Sequence, residues 1–252
     1  MKNALIAIAE EAGALILPLF QAGLAADRKS DGSPVTQADE RAEALILQRL
    51  AAAFPEIPAV GEESVAAGRV PPPSDRFFLV DPLDGTREFV AGSGEFTVNI
   101  ALIEQGVPTM GVVLAPALGR LFHGDRHGAF EGERKLRVRP PPPEGLVIVA
   151  SRSHRTAETD AFIARHRVSA LVCAGSSLKF CLVASGTADL YPRLGRTMEW
   201  DTAAADAILR AAGGWVRTLD GAPLRYGKRN QPADSDFANP FFVVGAAEGL
   251  SP

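Results

Sequence analysis

Apolar residues recur at helical spacing through Leu5, Ile8, Ala9, Ala12, Leu15, Ile16 and Leu19, which predicts an amphipathic helix over 3–22. Pro18 is expected to bend or end its last turn, because proline brings no N–H to the helical ladder. The polar, turn-rich segment LAADRKSDGSPV predicts a loop. Thr36 then opens a second helix to about Phe54, with Asp39 three positions on as its capping-box partner. After a polar, proline-rich stretch from Gly68 to Asp75 the pattern becomes strand-like. FFLV (77–80) runs directly into acids, and 96–104, 107–115 and 120–123 read as successive antiparallel strands joined by glycine-containing turns.

RPPPPEG (139–145) suits neither a helix nor a central strand, and it divides the chain into a first half, 1–139, and a second half, 144–252. Beyond it, strands LVIVAS (146–151) and VSALVCA (168–174) alternate with helices near 156–166 and 176–186. A short strand near 188–191, a helix from Asp201 to Ala212 and the strand WVRTL follow. That alternation is an α/β signature.

Composition narrows the function classes. The 252 residues are 46% hydrophobic and 22% charged, as in an ordinary globular protein. Lys and Arg number 26 against 30 Asp and Glu, a net charge of −4, so no basic excess suits a nucleic-acid polymer. Cys173 and Cys181 lie in apolar surroundings and read as two buried free thiols in a reducing compartment, without disulfide or zinc spacing. Glu10 and Glu11 interrupt the N-terminal apolar run, which argues against a signal peptide. No other stretch approaches the ~20 apolar residues of a transmembrane helix, so a soluble, cytoplasmic protein is expected.

The acids matter for where they sit. Val80-Asp81-Pro82-Leu83-Asp84-Gly85-Thr86 places two carboxylates three apart where a buried strand ends. Pro82 should force a turn there, able to aim Asp81, Asp84 and the Leu83 carbonyl at one spot. Gly85 permits close backbone approach to a ligand, and Thr86 starts a short helix whose free N–H groups suit phosphate. Crowded like charges raise each other's pKa unless a cation compensates, and Mg²⁺, with its preference for oxygen ligands, is the natural one. Singly, each acid has a plainer reading: Asp81 and Asp84 as turn caps, Glu62 and Glu63 as a solvated loop, Asp201 as a helix N-cap.

Together, VTQAD, GEES, VDPLDGTREF and WDTAAA resemble, in order and spacing, the inositol monophosphatase superfamily of Mg²⁺-dependent, lithium-sensitive phosphatases. DGTREF, GEFTVNIALI, SRSH (151–154), GSSLKFC (175–181), LYPR (190–193) and GAPL…NPFF are similar to its 3′(2′),5′-bisphosphate nucleotidase branch, which removes a phosphate from adenosine 3′,5′-bisphosphate in sulfur metabolism. GEESVAAG is nearer the inositol monophosphatase branch. The resemblance implies the layered α-β-α-β-α sandwich of the inositol monophosphatase/fructose-1,6-bisphosphatase type, with the site between the halves. It implies that Glu62, Asp81, the Leu83 carbonyl, Asp84 and Asp201 ligate two or three Mg²⁺ ions. Asp39 and Thr86 would prepare the attacking water, with Glu62 also catalytic. Gly85 and Thr86 would hold the scissile phosphate, and His154, Ser176 and Asp201 would contact substrate.

Such a substrate, a small phosphorylated metabolite, needs a cation for its second phosphate. Arg152 and Lys179 are the candidates, with Arg193 and Arg196 flanking the WD motif as further ones; solvated surface charge is the plainer reading of Arg152 and Lys179. An inositol or sugar phosphatase with the same metal chemistry is the second reading, and a catalytically idle phosphate- or metal-binding regulator the third. A homodimer stays open.

Overall fold

The computed structural model describes residues 1–23, 27–28, 34–151, 155–246 and 250. The chain opens with α1 (Lys2–Gln21), a small antiparallel ribbon of β1 (Asp27–Arg28) and β2 (Pro34–Val35), and α2 (Gln37–Ala53). Thr36 caps α2, and the capping box with Asp39 is formed. Pro18 lies inside α1, and the helix runs past it to Gln21. Packing outweighs the lost N–H there: the Phe20 ring meets Phe96 at 4.9 Å and Phe89 at 5.5 Å.

Next come β3 (Ala59–Gly61), α3 (Glu62–Ala66), β4 (Arg76–Asp84), α4 (Thr86–Val90), β5 (Thr97–Glu104), β6 (Val107–Ala115), β7 (Arg120–Asp125), β8 (Gly128–Glu131) and β9 (Arg134–Leu136). These strands form one seven-stranded sheet in chain order, parallel only between β3 and β4. The expected turn at Pro82 is instead a bulge. Asp81 pairs with Asn99 and Asp84 with Thr97, so β4 carries one extra residue and stays in the sheet.

The remainder is β10 (Leu146–Ser151), α5 (Ala157–Ile163), β11 (Val168–Ala174), α6 (Leu178–Ala184), β12 (Leu190–Arg193), α7 (Trp200–Ala211), β13 (Trp215–Thr218) and β14 (Phe242–Gly245). Its sheet has the order β11-β10-β12-β14-β13. The first three strands are parallel, as strand–helix alternation requires, but β14 enters antiparallel between β12 and β13.

The period-two alternation of β4 decides the layering. Phe78 and Val80 pack with Leu5, Ile16, Ile46 and Leu50 of α1 and α2. Phe77 and Leu79 face the other way, into a core with Phe180 of α6, Ala203 and Ile208 of α7, and Tyr191, Phe242 and Val244 of the second sheet. Phe162 and Ile163 of α5 cover that sheet's far face over Ile148 and Leu190. The order is therefore helix, sheet, helix, sheet, helix, the implied sandwich. Alanine-rich α7 lies so close to β6 that a Cβ on Gly111 would sit 2.0 Å from the Ala204 carbonyl oxygen. α1 has the length and mean hydropathy of a membrane span (20 residues, 1.6), yet its inner side packs on α2 and the first sheet as a core helix.

Two of the plainer readings fail. Cys173 is exposed on the edge strand β11, and only Cys181 is buried. Lys179 is not surface charge: it is 6% exposed.

Candidate active site

A cavity of about 550 Å³ opens between the two sheets. Glu62, Asp81, Leu83, Asp84, Gly85, Thr86 and Asp201 all line it, as do Ser176 and Lys179. β3 and α3 deliver Glu62, the β4 bulge delivers Asp81 to Asp84, and the first turn of α7 delivers Asp201. Carboxylate oxygens of Glu62, Asp81 and Asp201 lie within 4.8 Å of one another. Asp81 is held by the Leu83 N–H at 3.0 Å. Asp201 is the second helical residue rather than the N-cap, and its Oδ2 accepts from the Met198 N–H at 2.9 Å.

Asp84 stands beside this trio. Ser177 Oγ is 3.0 Å from Asp84 Oδ2 and 2.8 Å from the Asp201 carbonyl oxygen, and it accepts from Asn99 Nδ2 at 2.8 Å. One hydroxyl thus braces Asp84 of β4 against Asp201 of α7. The missed contributor had a signal: Asn99 is a lone amide in the apolar strand FTVNIALI.

The electrostatics demand positive charge. Desolvation, then repulsion from Asp84 and Glu62, pushes the Asp201 pKa up to about 8. Burial also raises that of Asp84, opposed by Lys179 and the Ser177 hydrogen bond. Lys179 is held down to about 8 by burial, opposed by Asp84. Its Nζ donates to the Ser176 carbonyl at 2.6 Å and lies 5.5 Å from the Tyr191 ring. Oxygen donors at this spacing, with their charge only partly compensated by Lys179 and Arg193, suit a hard divalent cation such as Mg²⁺.

Asp39 divides its two tasks between two oxygens. Oδ2 accepts from Thr36 N–H (2.8 Å) and Oγ1 (2.7 Å) in the cap, while Oδ1 is 3.2 Å from Thr86 Oγ1. Gly85 has φ +90°, and a Cβ there would lie 3.2 Å from the Glu95 carbonyl oxygen and 3.3 Å from Ser176 Cβ, so conformation and space both require glycine. Arg193 is buried against the cavity; among the described residues its guanidinium makes one hydrogen bond, Nη2 to the Arg196 carbonyl at 2.8 Å, and Nε has no partner. Arg155 and Arg196 are exposed at the rim, paired with Asp160 and Asp234. Arg152 and His154 lie outside the described residues.

A model of the inositol monophosphatase family matches residues 1–240. The 3′(2′),5′-bisphosphate nucleotidase CysQ of Salmonella typhimurium is 43% identical over 243 residues, 94% of this chain and 96% of that protein. CysQ of Escherichia coli K12 is 41% identical over the same shares. Among solved structures, CysQ of Bacteroides thetaiotaomicron superposes with a TM-score of 0.80 at 37% identity, covering 97% of this chain and 96% of that one. An inositol monophosphatase of Thermotoga maritima gives 0.79 at 26%, covering 96% and 90%.

Proposed function

The chain belongs to the inositol monophosphatase family, and from that membership we propose that it is a Mg²⁺-dependent 3′(2′),5′-bisphosphate nucleotidase that hydrolyses the 3′-phosphate of adenosine 3′,5′-bisphosphate. The observation that carries this reading is the pairing, in one cavity, of the Glu62–Asp81–Asp201 carboxylate trio with the buried cation Arg193. The relatives named 3′(2′),5′-bisphosphate nucleotidase support the same class of substrate.

Glu62, Asp81, Asp84, Asp201 and the Leu83 carbonyl would hold two or three Mg²⁺. The metal, when bound, supplies Lewis acidity toward the phosphoryl oxygens and lowers the pKa of the nucleophilic water. The remaining work falls to the chain. Thr86 Oγ1, which donates to Asp39 Oδ1, would orient the attacking water and pass its proton toward Asp39. Gly85 lets the backbone approach the scissile phosphate. The second phosphate finds the Arg193 guanidinium, which has donors to spare, more readily than Lys179 Nζ, which donates to the Ser176 carbonyl. Li⁺ inhibition, a role in sulfur metabolism and a cytoplasmic setting complete the proposal.

A panel of phosphorylated metabolites assayed with Mg²⁺ tests it. Adenosine 3′,5′-bisphosphate should exceed AMP and inositol 1-phosphate in kcat/KM by at least about ten-fold, the scale of one charge-assisted contact. A preference for inositol 1-phosphate would replace the assignment with an inositol or sugar phosphatase.

A further inference from the structure

Glu62 reaches the carboxylate trio on α3, a helix of five residues, and we infer that Glu43 of α2 is the residue that positions it. The inference rests on the metal-ligand reading of Glu62. α3 cannot cap itself, because its N-cap residue is Gly61, which has no side chain. Its leading N–H groups go to Glu43 instead: Glu63 N–H donates to Oε2 and Ser64 N–H to Oε1, each at 2.7 Å. Ser64 Oγ adds a third contact to Oε1, also at 2.7 Å. Glu43 is 3% exposed and does not line the cavity, so it acts through Glu62 and not on substrate.

The backbone on the other side of Glu62 is fixed by the same carboxylate. A Cβ built on Gly61 would lie 2.5 Å from Glu43 Cδ and 2.6 Å from Oε2. Gly61 has φ −109°, a conformation open to any residue, so glycine is needed there for room. Residues 61, 63 and 64 are thus locked to one buried anion, and Glu62 projects from between them. The negative charge also complements the positive end of α3. Asp39 stands one turn before Glu43 on α2 and meets Thr86, so one rigid helix sets both Glu62 and the Thr86 hydroxyl. The sequence signal is an acid, Glu43, among the buried positions Ala42 and Ile46.

The test is calorimetric titration of Mg²⁺ into the full-length chain, with melting curves and Mg²⁺-dependent kinetics alongside. Glu43→Gln turns one accepting oxygen into an NH₂ that opposes an α3 N–H. Mg²⁺ affinity should fall by about 10- to 100-fold, the range for groups that orient metal ligands. The Mg²⁺ needed for half-maximal activity should rise in parallel, while kcat at saturating Mg²⁺ falls by a smaller factor. Gly61→Ala, which pushes the carboxylate off α3, should do the same, and Glu43→Asp, which keeps the charge, should recover part of the affinity. If Glu43→Gln does not fold, the other two carry the test. Folded variants with a lowered melting temperature but wild-type Mg²⁺ affinity would reduce Glu43 to a structural cap and overturn the inference. The metal reading itself fails separately, if Asp81→Asn binds Mg²⁺ as tightly as wild type.

Discussion

The two walls of the cavity are built on opposite plans. The acidic wall gathers Glu62, Asp81, Asp84 and Asp201 at strand ends and first helical turns, where hydrogen bonds hold three of the carboxylates: Leu83 N–H on Asp81, Met198 N–H on Asp201, and the Ser177 hydroxyl between Asp84 and α7. The basic wall grades outward, from Lys179, committed to a backbone carbonyl, through Arg193, with one hydrogen bond among the described residues, to exposed Arg155 and Arg196. Rigidly crowded acids suit chemistry, because preorganised charge acts where charge develops. A graded set of cations suits selection among anionic substrates, because it changes binding without touching the reacting atoms.

The largest effect should come from emptying the acidic wall. Saturating EDTA should abolish phosphate release, and excess Ca²⁺, too large for an octahedral oxygen site, should inhibit it. Unchanged turnover in EDTA would leave the acids as turn caps. Asp84→Asn comes next: it keeps the shape but removes one charge, and kcat should fall at least about 10²-fold, the scale of losing one preorganised electrostatic contact. Near-wild-type kcat in a folded variant would strip Asp84 of its role.

The acidic wall was largely legible in the sequence because its acids stand in compact runs, DPLDGT, GEES and WDTAAA, that each fold locally. What could not be read there were the contacts of Glu43 and Ser177, whose partners lie 20 or more residues away and become neighbours only in the fold. The β4 bulge was misread as a turn because Pro82 ends a ladder only when nothing lets the strand carry an extra residue. The strands β3, β8, β9 and β14 escaped for a different reason. At three or four residues they are too short to show a period, and only neighbouring strands hold them extended. The basic wall was half legible: Lys179 and Arg193 both stood out as candidate cations, but the burial of Lys179 is not written in the local run GSSLKF.

A smaller effect sharpens the contrast through stability. In the metal-free protein, the Asp201 pKa of about 8 lies above its ordinary 3.8, so the fold favours the neutral acid. That contribution is complete below about pH 4 and is lost as pH rises through about 8. Metal-free Asp201→Asn should therefore melt above wild type at pH 8, by roughly 2–4 °C for each kcal/mol recovered, and the gap should close toward pH 4. Mg²⁺ should reverse the order by stabilising wild type. A gap independent of pH would place its cause outside the titration of Asp201.

The most direct test sets one wall against the other in a single experiment: kcat and KM of wild type, Asp84→Asn and Arg193→Ala on adenosine 3′,5′-bisphosphate and on AMP. Asp84→Asn should lower kcat on both substrates alike. Arg193→Ala should lower kcat/KM for the bisphosphate by about ten-fold or more while leaving AMP hydrolysis nearly intact, since a charge-assisted hydrogen bond contributes about 1.5–3 kcal/mol. Equal losses on both substrates in Arg193→Ala would contradict the division of the cavity into a chemical and a selecting wall.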